Sequence, residues 1–449
     1  MFRIKFGCYI MFTKQMQYDD TKILSIAKII DTKIGSLIQR FVFYTTSKSI
    51  HFGFRYPKLK LQIFKFIDVL PSLETKKIYP YFKIYLFDED TEIPIFLKSS
   101  IQFLIKTFCL GKLVSSLILK IVKVFAKFFI LTDSPKNLKK LNSSIRPRTY
   151  DVLGETAVSP KEAKEYLRQY SELLELLPEV PLDIDPKLRT NISIKCSGIE
   201  TRLYPEAEEM SGKYLKETLR PLLRLAMKKG IGINLDMEQY DLKSIICRVA
   251  KELFLEAEFK KYKHFGIVVQ SYLRSSTEDL KVWKEYAKDR GVPITIRLVK
   301  GAYLEYERIK AEERGWISPV FDTKRETDIK FEENVLFLLD SSPFLRPAFG
   351  THNLRSLAFI LYHANNRSIL DFEIQMLYGM ANKYKAGLES MGIIIREYSP
   401  IGALLPGMAY LIRRLLENTS NQGFLYQMSL GKNLDSLITN PKEEIINGI

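Results

Sequence analysis

Arg413 and Arg414 sit side by side in an apolar, helix-length run (402–418, GALLPGMAYLIRRLLEN). Two neighbouring guanidiniums repel each other unless they share an anion, and arginine's planar fork suits a carboxylate held by paired hydrogen bonds. A small substrate with one carboxylate is the natural inference. Glu417, one turn further on, and Glu155 offer counter-ions that would make the pair a structural salt bridge instead. A second cluster lies in the run from Arg297 to Tyr303 (RLVKGAY), where a strand-end cation precedes Lys300 and then Gly301, a residue that lets backbone approach a ligand closely. Such a loop suits a phosphate or an electron-rich ring. Thr351, His352 and Asn353 end another apolar segment with three hydrogen-bonding side chains, and Lys324 supplies a further cation. His352 reads equally well as a packed structural histidine. Neither GxGxxG nor GxxxxGK[ST] occurs, so these groups belong to no Rossmann or P-loop site.

These residues need a scaffold that brings distant segments together. Eight short apolar segments, at 150–154, 191–195, 232–236, 266–270, 293–300, 347–353, 372–377 and 392–398, are separated by stretches long enough for a crossover helix. The repeat predicts an α/β fold, a (βα)8 barrel, with a mainly helical domain before it. Alternate side chains on a strand point to opposite sides, and the polar residues share one phase: Ser193 with Lys195, Asn234 with Asp236, Thr295 with Arg297, and Glu373 with Gln375, joined by Gln270. A lysine, an aspartate, an arginine and two glutamines are therefore expected at the C-terminal mouth. Any one of them alone reads equally as a structural ion pair, but burying so many at one end is costly without partners or a ligand.

The chain of 449 residues accommodates a barrel of about 250 residues and one further domain. Its net charge of +16 is localised: residues 1–149 hold 26 Lys plus Arg against 10 Asp plus Glu, and the remainder balances. Anionic lipid and nucleic acid are the partners such a surplus attracts. The boundaries expected are a basic arm domain at 1–132, a linker at 133–149, the barrel at 150–427 and a tail at 428–449. Helices are expected at 21–45 and 57–70, with a partly extended stretch at 79–97. Within 101–132, Lys120, Lys123 and Lys127 recur at helical spacing beside an apolar surface. That helix either lies in a membrane interface or packs on the barrel with a solvated lysine edge. Lysines interrupt every apolar run before it reaches bilayer length, so no transmembrane helix is predicted. The N-terminus makes a poor signal peptide, and Met11 is an alternative start. Four scattered cysteines without CxxC spacing argue against a disulfide frame or a zinc site, so no metal is expected and a reduced cytoplasmic setting fits.

Nine strings in order carry a resemblance: YDVLGE, SIKCS, NLDMEQYDL, IVVQSY, IRLVKGAY, FGTHN, FEIQMLYGM, REYSPIG and YLIRRLLENTSN. Over 150–427 the chain resembles the proline dehydrogenase family, and most closely the proline dehydrogenase half of the bifunctional proline utilization A proteins. The stretch 54–71 resembles the arm of those proteins more weakly. The resemblance implies a flavoenzyme that oxidises L-proline to Δ1-pyrroline-5-carboxylate, with FAD across the barrel mouth and a quinone as electron acceptor. It implies that Lys195, Arg413 and Arg414 hold the proline carboxylate, and that Tyr303, Leu377 and Tyr398 shape the pocket. Asp236 and Arg297 correspond to the catalytic pair, with Arg297 near flavin N5. Gln270, Arg297, Lys300, Gly301, Ala302, Lys324, Thr351, His352, Asn353, Gln375 and Glu417 correspond to FAD-contacting positions, and Glu155 to a carboxylate paired with a clamp arginine. Peripheral association with the inner face of an anionic membrane is expected. The sequence ends at Ile449, so the second oxidation is expected to need a separate pyrroline-5-carboxylate dehydrogenase or the continuation of a split gene. Two readings stand beside this one: an inactive docking module, and a nucleic-acid binder, although no ribbon-helix-helix module is recognisable. Hydroxyproline is a competing substrate that sequence does not separate from proline.

Overall fold

The computed structural model describes residues 20–32, 73–86, 111–127, 129–140, 146–154, 156–181, 183–403 and 439–442, with isolated positions between 58 and 103. All eight expected segments form strands: β1 (Arg148–Val152), β2 (Asn191–Ile194), β3 (Gly232–Leu235), β4 (Phe265–Gln270), β5 (Ile294–Val299), β6 (Leu345–Gly350), β7 (Glu373–Leu377) and β8 (Ile395–Ile401). They pair in chain order as one closed parallel barrel. The bounds shift by two or three residues at β6 and also at the seam, where β1 starts two residues early and β8 ends three residues late. Closure decides this: Arg148 pairs with Glu397 and Val152 with Ile401, which draws charged residues and Pro400 into strands that an apolar-run criterion leaves out.

Each crossover carries a helix. Helices Pro160–Leu176, Glu208–Lys229, Tyr240–Leu253, Ser276–Arg290, Lys324–Leu339, Leu354–Asn366 and Asn382–Ser390 surround the strands, with an extra helix Leu304–Glu313 after β5. Local chemistry fixes their starts. Ser159 caps the first with Pro160 in its first turn, and Thr323 and Glu326 close a reciprocal capping box at Lys324. Ile192, Ile233, Ile267, Ile296 and Ile374 are completely buried within one continuous core cluster, which leaves the opposite phase of each strand to the barrel interior.

The helix Asp20–Thr32 joins that same core. Ile23, Ala27 and Ile30 recur on one face and are fully buried in the barrel cluster. Asp20 pairs with Arg355 at 2.5 Å and Asp31 with Lys383 at 2.6 Å, so both ends of the helix are tied to the barrel's outer layer. Gly387 permits the crossing, since a Cβ there would sit 2.6 Å from the Ile30 carbonyl oxygen. Asn440 also donates to Asp20, so a segment near the C-terminus meets the first helix at the same carboxylate.

A smaller cluster forms where Phe66, Leu70, Ile78, Ile130 and Leu153 are buried together. Of the stretch at 79–97 expected to be partly extended, residues 79–86 are corrected, since Thr75–Leu86 is a helix that runs through Pro80, and 87–97 lies outside the described residues. Ile78, Tyr81, Phe82 and Tyr85 recur at helical spacing and pack in this cluster, a period that outweighs the single proline. The basic segment forms helix Gly111–Ala126, with Lys120, Lys123 and Lys127 exposed and Leu117 55% exposed. The stretch after it is fastened at both ends: Leu131 N donates to Pro400 O at 2.8 Å, and Arg146 pairs with both Glu389 and Glu397. It also contains a 3-10 turn at Pro135–Lys140. The helix expected at 402–418 and most of that expected at 57–70 lie outside the described residues, as does 21–45 beyond Thr32.

Two histidines make stability depend on acidity. Burial, then neighbouring cationic groups, push His264 and His363 down to about 4, below the value near 6.5 of an unfolded chain. Between those values the unfolded state binds more protons, so this stabilisation is complete above pH ~6.5 and is lost as pH falls through 4. Urea midpoints are expected to drop between pH 7 and pH 5. The double variant His264→Gln/His363→Gln is expected to flatten that slope.

Candidate active site

The C-terminal ends of β2, β3, β5 and β8 bring four expected residues into one buried cluster. Arg297 Nη1 donates to Asp236 Oδ1 at 2.7 Å, and Tyr398 Oη donates to Asp236 Oδ2 at 2.9 Å. Lys195 Nζ lies 3.8 Å from the same Asp236 oxygen, and the Arg297 guanidinium stands 5.1 Å from the Tyr398 ring. Asp236 is 9% and Arg297 5% exposed, so these charges act with little solvent between them.

Three further residues complete the cluster. Ser193 Oγ donates to Asp236 Oδ1 at 2.5 Å and accepts from Arg297 Nη1 at 2.9 Å. Asp151, on β1, takes an ion pair and hydrogen bond from Lys195. Glu238 accepts from Ser197 N at 3.0 Å and from the Ser197 hydroxyl, which anchors the turn just after Lys195. Asp151 was legible: the alternation that singles out Asp236 on β3 also puts Thr149 and Asp151 on the buried phase of β1.

Two carboxylates and two cations settle one another's charge. Burial raises the Asp236 carboxyl, but Arg297, Lys195, Ser193 and Tyr398 outweigh it and hold the group below the ordinary range. At Asp151 burial wins over the single ammonium of Lys195, and the carboxyl is raised. Burial works against the Lys195 ammonium, yet Asp151, Tyr398 and Asp236 hold it well above the usual lysine value. Tyr398 is raised by burial and then by the two carboxylates, so it remains a hydroxyl donor.

Around this cluster the other expected residues fall into separate groups. Lys300 and Lys324 both reach Asp328, each at 2.6 Å, so one carboxylate serves two of the cations read from the sequence. Asn353 spends its side-chain oxygen capping helix Leu354–Asn366, and Thr351 Oγ1 accepts from Asn353 N. His352 Nε2 accepts from Leu377 N at 2.9 Å, which fixes the neutral tautomer with its proton on Nδ1. Lys385 Nζ donates to Leu377 O, so both backbone groups of that residue are tied. Tyr303 packs with Tyr272, Leu273 and Val320. Ala302 and Gly301 are exposed beside it. Gln270 Nε2 donates to Met237 O at 3.3 Å, and Gln375 Nε2 donates to Glu373 Oε1 at 2.6 Å. Glu373, expected on the inner phase of β7 beside Gln375, is buried there. It belongs to the opposite end of the barrel, where Arg396 Nε donates to it at 2.9 Å, because one strand period carries it about 6.6 Å from Gln375. Arg413, Arg414, Glu417 and Glu155 lie outside the described residues.

Some polar atoms of the expected residues are unspent. Arg297 Nε and Nη2, Gln270 Oε1 and Gln375 Oε1 are buried without a hydrogen-bond partner among the described residues. Such atoms carry a desolvation cost until something meets them. Gly301 adds a close approach: its φ is +130°, and a Cβ there would lie 2.4 Å from the Tyr272 ring. Gly301→Ala is expected to cost about 1–3 kcal/mol, read as a lowered urea midpoint.

The profile described as Proline dehydrogenase matches residues 135–427, and that of the Proline utilization A N-terminal domain matches 21–129. The bifunctional protein PutA of Salmonella typhimurium is 29% identical over 319 residues, which cover 69% of this chain and 24% of the relative. Proline dehydrogenase 1 of Bacillus subtilis subsp. natto is 29% identical over 304 residues, covering 67% of this chain and 88% of its own length. Among solved structures, proline utilization A from Bdellovibrio bacteriovorus, inactivated by N-propargylglycine, superposes with a TM-score of 0.81 at 38% identity. That superposition covers 95% of this chain and 44% of the other.

Proposed function

Because the chain belongs to the proline dehydrogenase family, we propose that it oxidises L-proline to Δ1-pyrroline-5-carboxylate, with FAD as cofactor and a quinone as final electron acceptor. This is the first oxidation on the way from proline to glutamate. A separate pyrroline-5-carboxylate dehydrogenase would take the product onward. The domain reading that accompanies it is an arm at 1–132, a linker at 133–149, a catalytic barrel at 150–427 and a tail at 428–449.

The observation that carries the proposal is the buried Lys195–Asp236–Arg297–Tyr398 cluster with two guanidinium nitrogens of Arg297 unspent. The residues fit a flavin. Arg297 offers donors and Gln270 and Gln375 offer acceptors, the complement of a ring system that carries both carbonyls and N–H groups. Arg297, Gln270, Lys300, Gly301, Ala302, Lys324, Thr351, His352, Asn353, Gln375 and Glu417 would hold it. When bound, the flavin supplies an acceptor for the hydride that leaves proline C5.

The chain's own work is orientation and charge. Lys195, joined in this reading by Arg413 and Arg414, binds the substrate carboxylate, while Tyr398, Leu377 and Tyr303 limit how the ring lies. Asp236 fixes Arg297 from one side and Tyr398 from another, so the guanidinium needs no reorganisation as negative charge develops beside it. Proline-dependent reduction of an electron-accepting dye by purified protein tests the reading. Arg414→Ala is expected to raise KM sharply, and a dye rate independent of proline would rule the reading out in favour of a docking role.

Membrane contact at the inner leaflet belongs to the same proposal. No helix among the described residues is long and apolar enough to cross a bilayer. The exposed edge of Lys120, Lys123 and Lys127 beside Leu117 suits an anionic surface. Binding to vesicles containing phosphatidylserine should weaken as salt rises. Equal binding to neutral vesicles would exclude this contact.

A further inference from the structure

Lys195 is already engaged before any substrate arrives. Its ammonium is held by Asp151, which is 1% exposed, and lies 3.8 Å from Asp236. Asp236 has three other partners in Arg297, Ser193 and Tyr398, whereas among the described residues the one charge pair of Asp151 is Lys195. Among the described residues, the groups that face Asp151 are Lys195 after β2, Asp236 after β3, Tyr398 on β8 and Tyr170 on helix Pro160–Leu176. Arg297 is committed to Asp236. Tyr170 Oη accepts from Lys195 N, and Tyr398 Oη donates to Asp236, so among the described residues no second cation pairs with Asp151.

Resting on the reading that Lys195 receives the substrate carboxylate, we infer that Asp151 takes up a proton when that carboxylate binds. The substrate carboxylate, which Arg413 and Arg414 also hold in that reading, then draws on the Lys195 ammonium that Asp151 pairs with. Like charges held this close are not both ionised, and the one with less solvent and fewer partners is neutralised. Asp151 is that one, since burial already outweighs Lys195 at its carboxyl. Asp151 has two roles in this inference: as an anion it parks Lys195, and on taking a proton it releases the ammonium to the substrate. The same event answers a need of the proposed reaction. Proline binds as a ring ammonium and must lose an N–H proton before its C5 hydride can leave. The N–H bond breaks, its electron pair stays on nitrogen, and the proton ends on an Asp151 oxygen. No outside acid or base is consumed.

The test uses full-length, flavin-loaded protein and tetrahydrofuran-2-carboxylate, in which an ether oxygen replaces the amine. This probe presents the carboxylate, carries no ammonium proton and cannot be oxidised at an amine. Calorimetric titration at pH 7 and pH 8, in two buffers of different ionisation enthalpy, counts the protons exchanged on binding. The wild type is expected to take up close to one proton, with Kd weakening roughly tenfold per pH unit in that regime. In Asp151→Asn the uptake should vanish and the pH dependence of Kd flatten. Probe binding by the wild type without proton uptake overturns the inference while leaving the clamp reading standing, and this arm needs no variant. Uptake that persists in folded, flavin-loaded Asp151→Asn also overturns it. Failure of the probe to bind at all would overturn the clamp reading and the inference together.

Discussion

Asp236→Ala is expected to produce the largest loss of any single substitution in the chain. It removes the acceptor for Arg297, Ser193 and Tyr398 at once and leaves a guanidinium that is 5% exposed without its counter-ion. Breaking one side of a buried pair costs about 3–5 kcal/mol. Loss of the fixed orientation of Arg297 should lower kcat/KM for proline by about 10²–10³, the size seen when a preorganised donor is removed. Asp236→Asn separates the two effects. It keeps an acceptor for Tyr398 but lacks the charge, so stability should recover in part while kcat stays low. Urea unfolding and steady-state dye reduction on both variants provide the check. A variant Asp236→Ala with wild-type turnover would mean that Arg297 is positioned by something else.

Lys195→Met comes next, and its signature differs. The apolar stem is kept, but the ammonium that Asp151 and Asp236 share is gone. A hydrogen bond to a charged group contributes about 1.5–3 kcal/mol, so the KM for proline should rise roughly 10- to 100-fold. The effect on kcat should be smaller, because Arg297 and Tyr398 keep their own contacts with Asp236. Asp151, left buried without a cation, should become protonated and survive as a neutral acid. An unchanged KM would show that the substrate carboxylate is bound elsewhere.

How far the sequence carried depended on what each signal measures. Strand segments are short, apolar and evenly interrupted, so hydropathy located all eight, and the two-residue period chose Lys195, Asp236 and Arg297 because inward polar residues near strand ends are costly without a purpose. Strand limits were less legible, since the pairing of Arg148 with Glu397 is set by barrel closure and not by hydropathy. Asp151 obeyed the same phase rule but stood alone on its strand, and its meaning appears only when β2 places Lys195 against it. Lys300 and Lys324 looked like two independent cations. Their common partner Asp328 lies four residues beyond Lys324 on one helix and is remote from Lys300 in sequence. The helix Thr75–Leu86 was missed at its C-terminal part, although the spacing of Ile78, Tyr81, Phe82 and Tyr85 was there to be counted.

At the centre of the account is a buried cluster that holds a cyclic amino acid by its carboxylate beside a flavin. Anaerobic titration of the flavin-loaded protein with L-proline tests this most directly. The visible flavin absorbance is predicted to bleach as proline is added, at much higher proline concentrations in Lys195→Met and far more slowly in Asp236→Ala. Absorbance that stays unchanged through millimolar L-proline, in folded protein that has retained its flavin, would contradict the account.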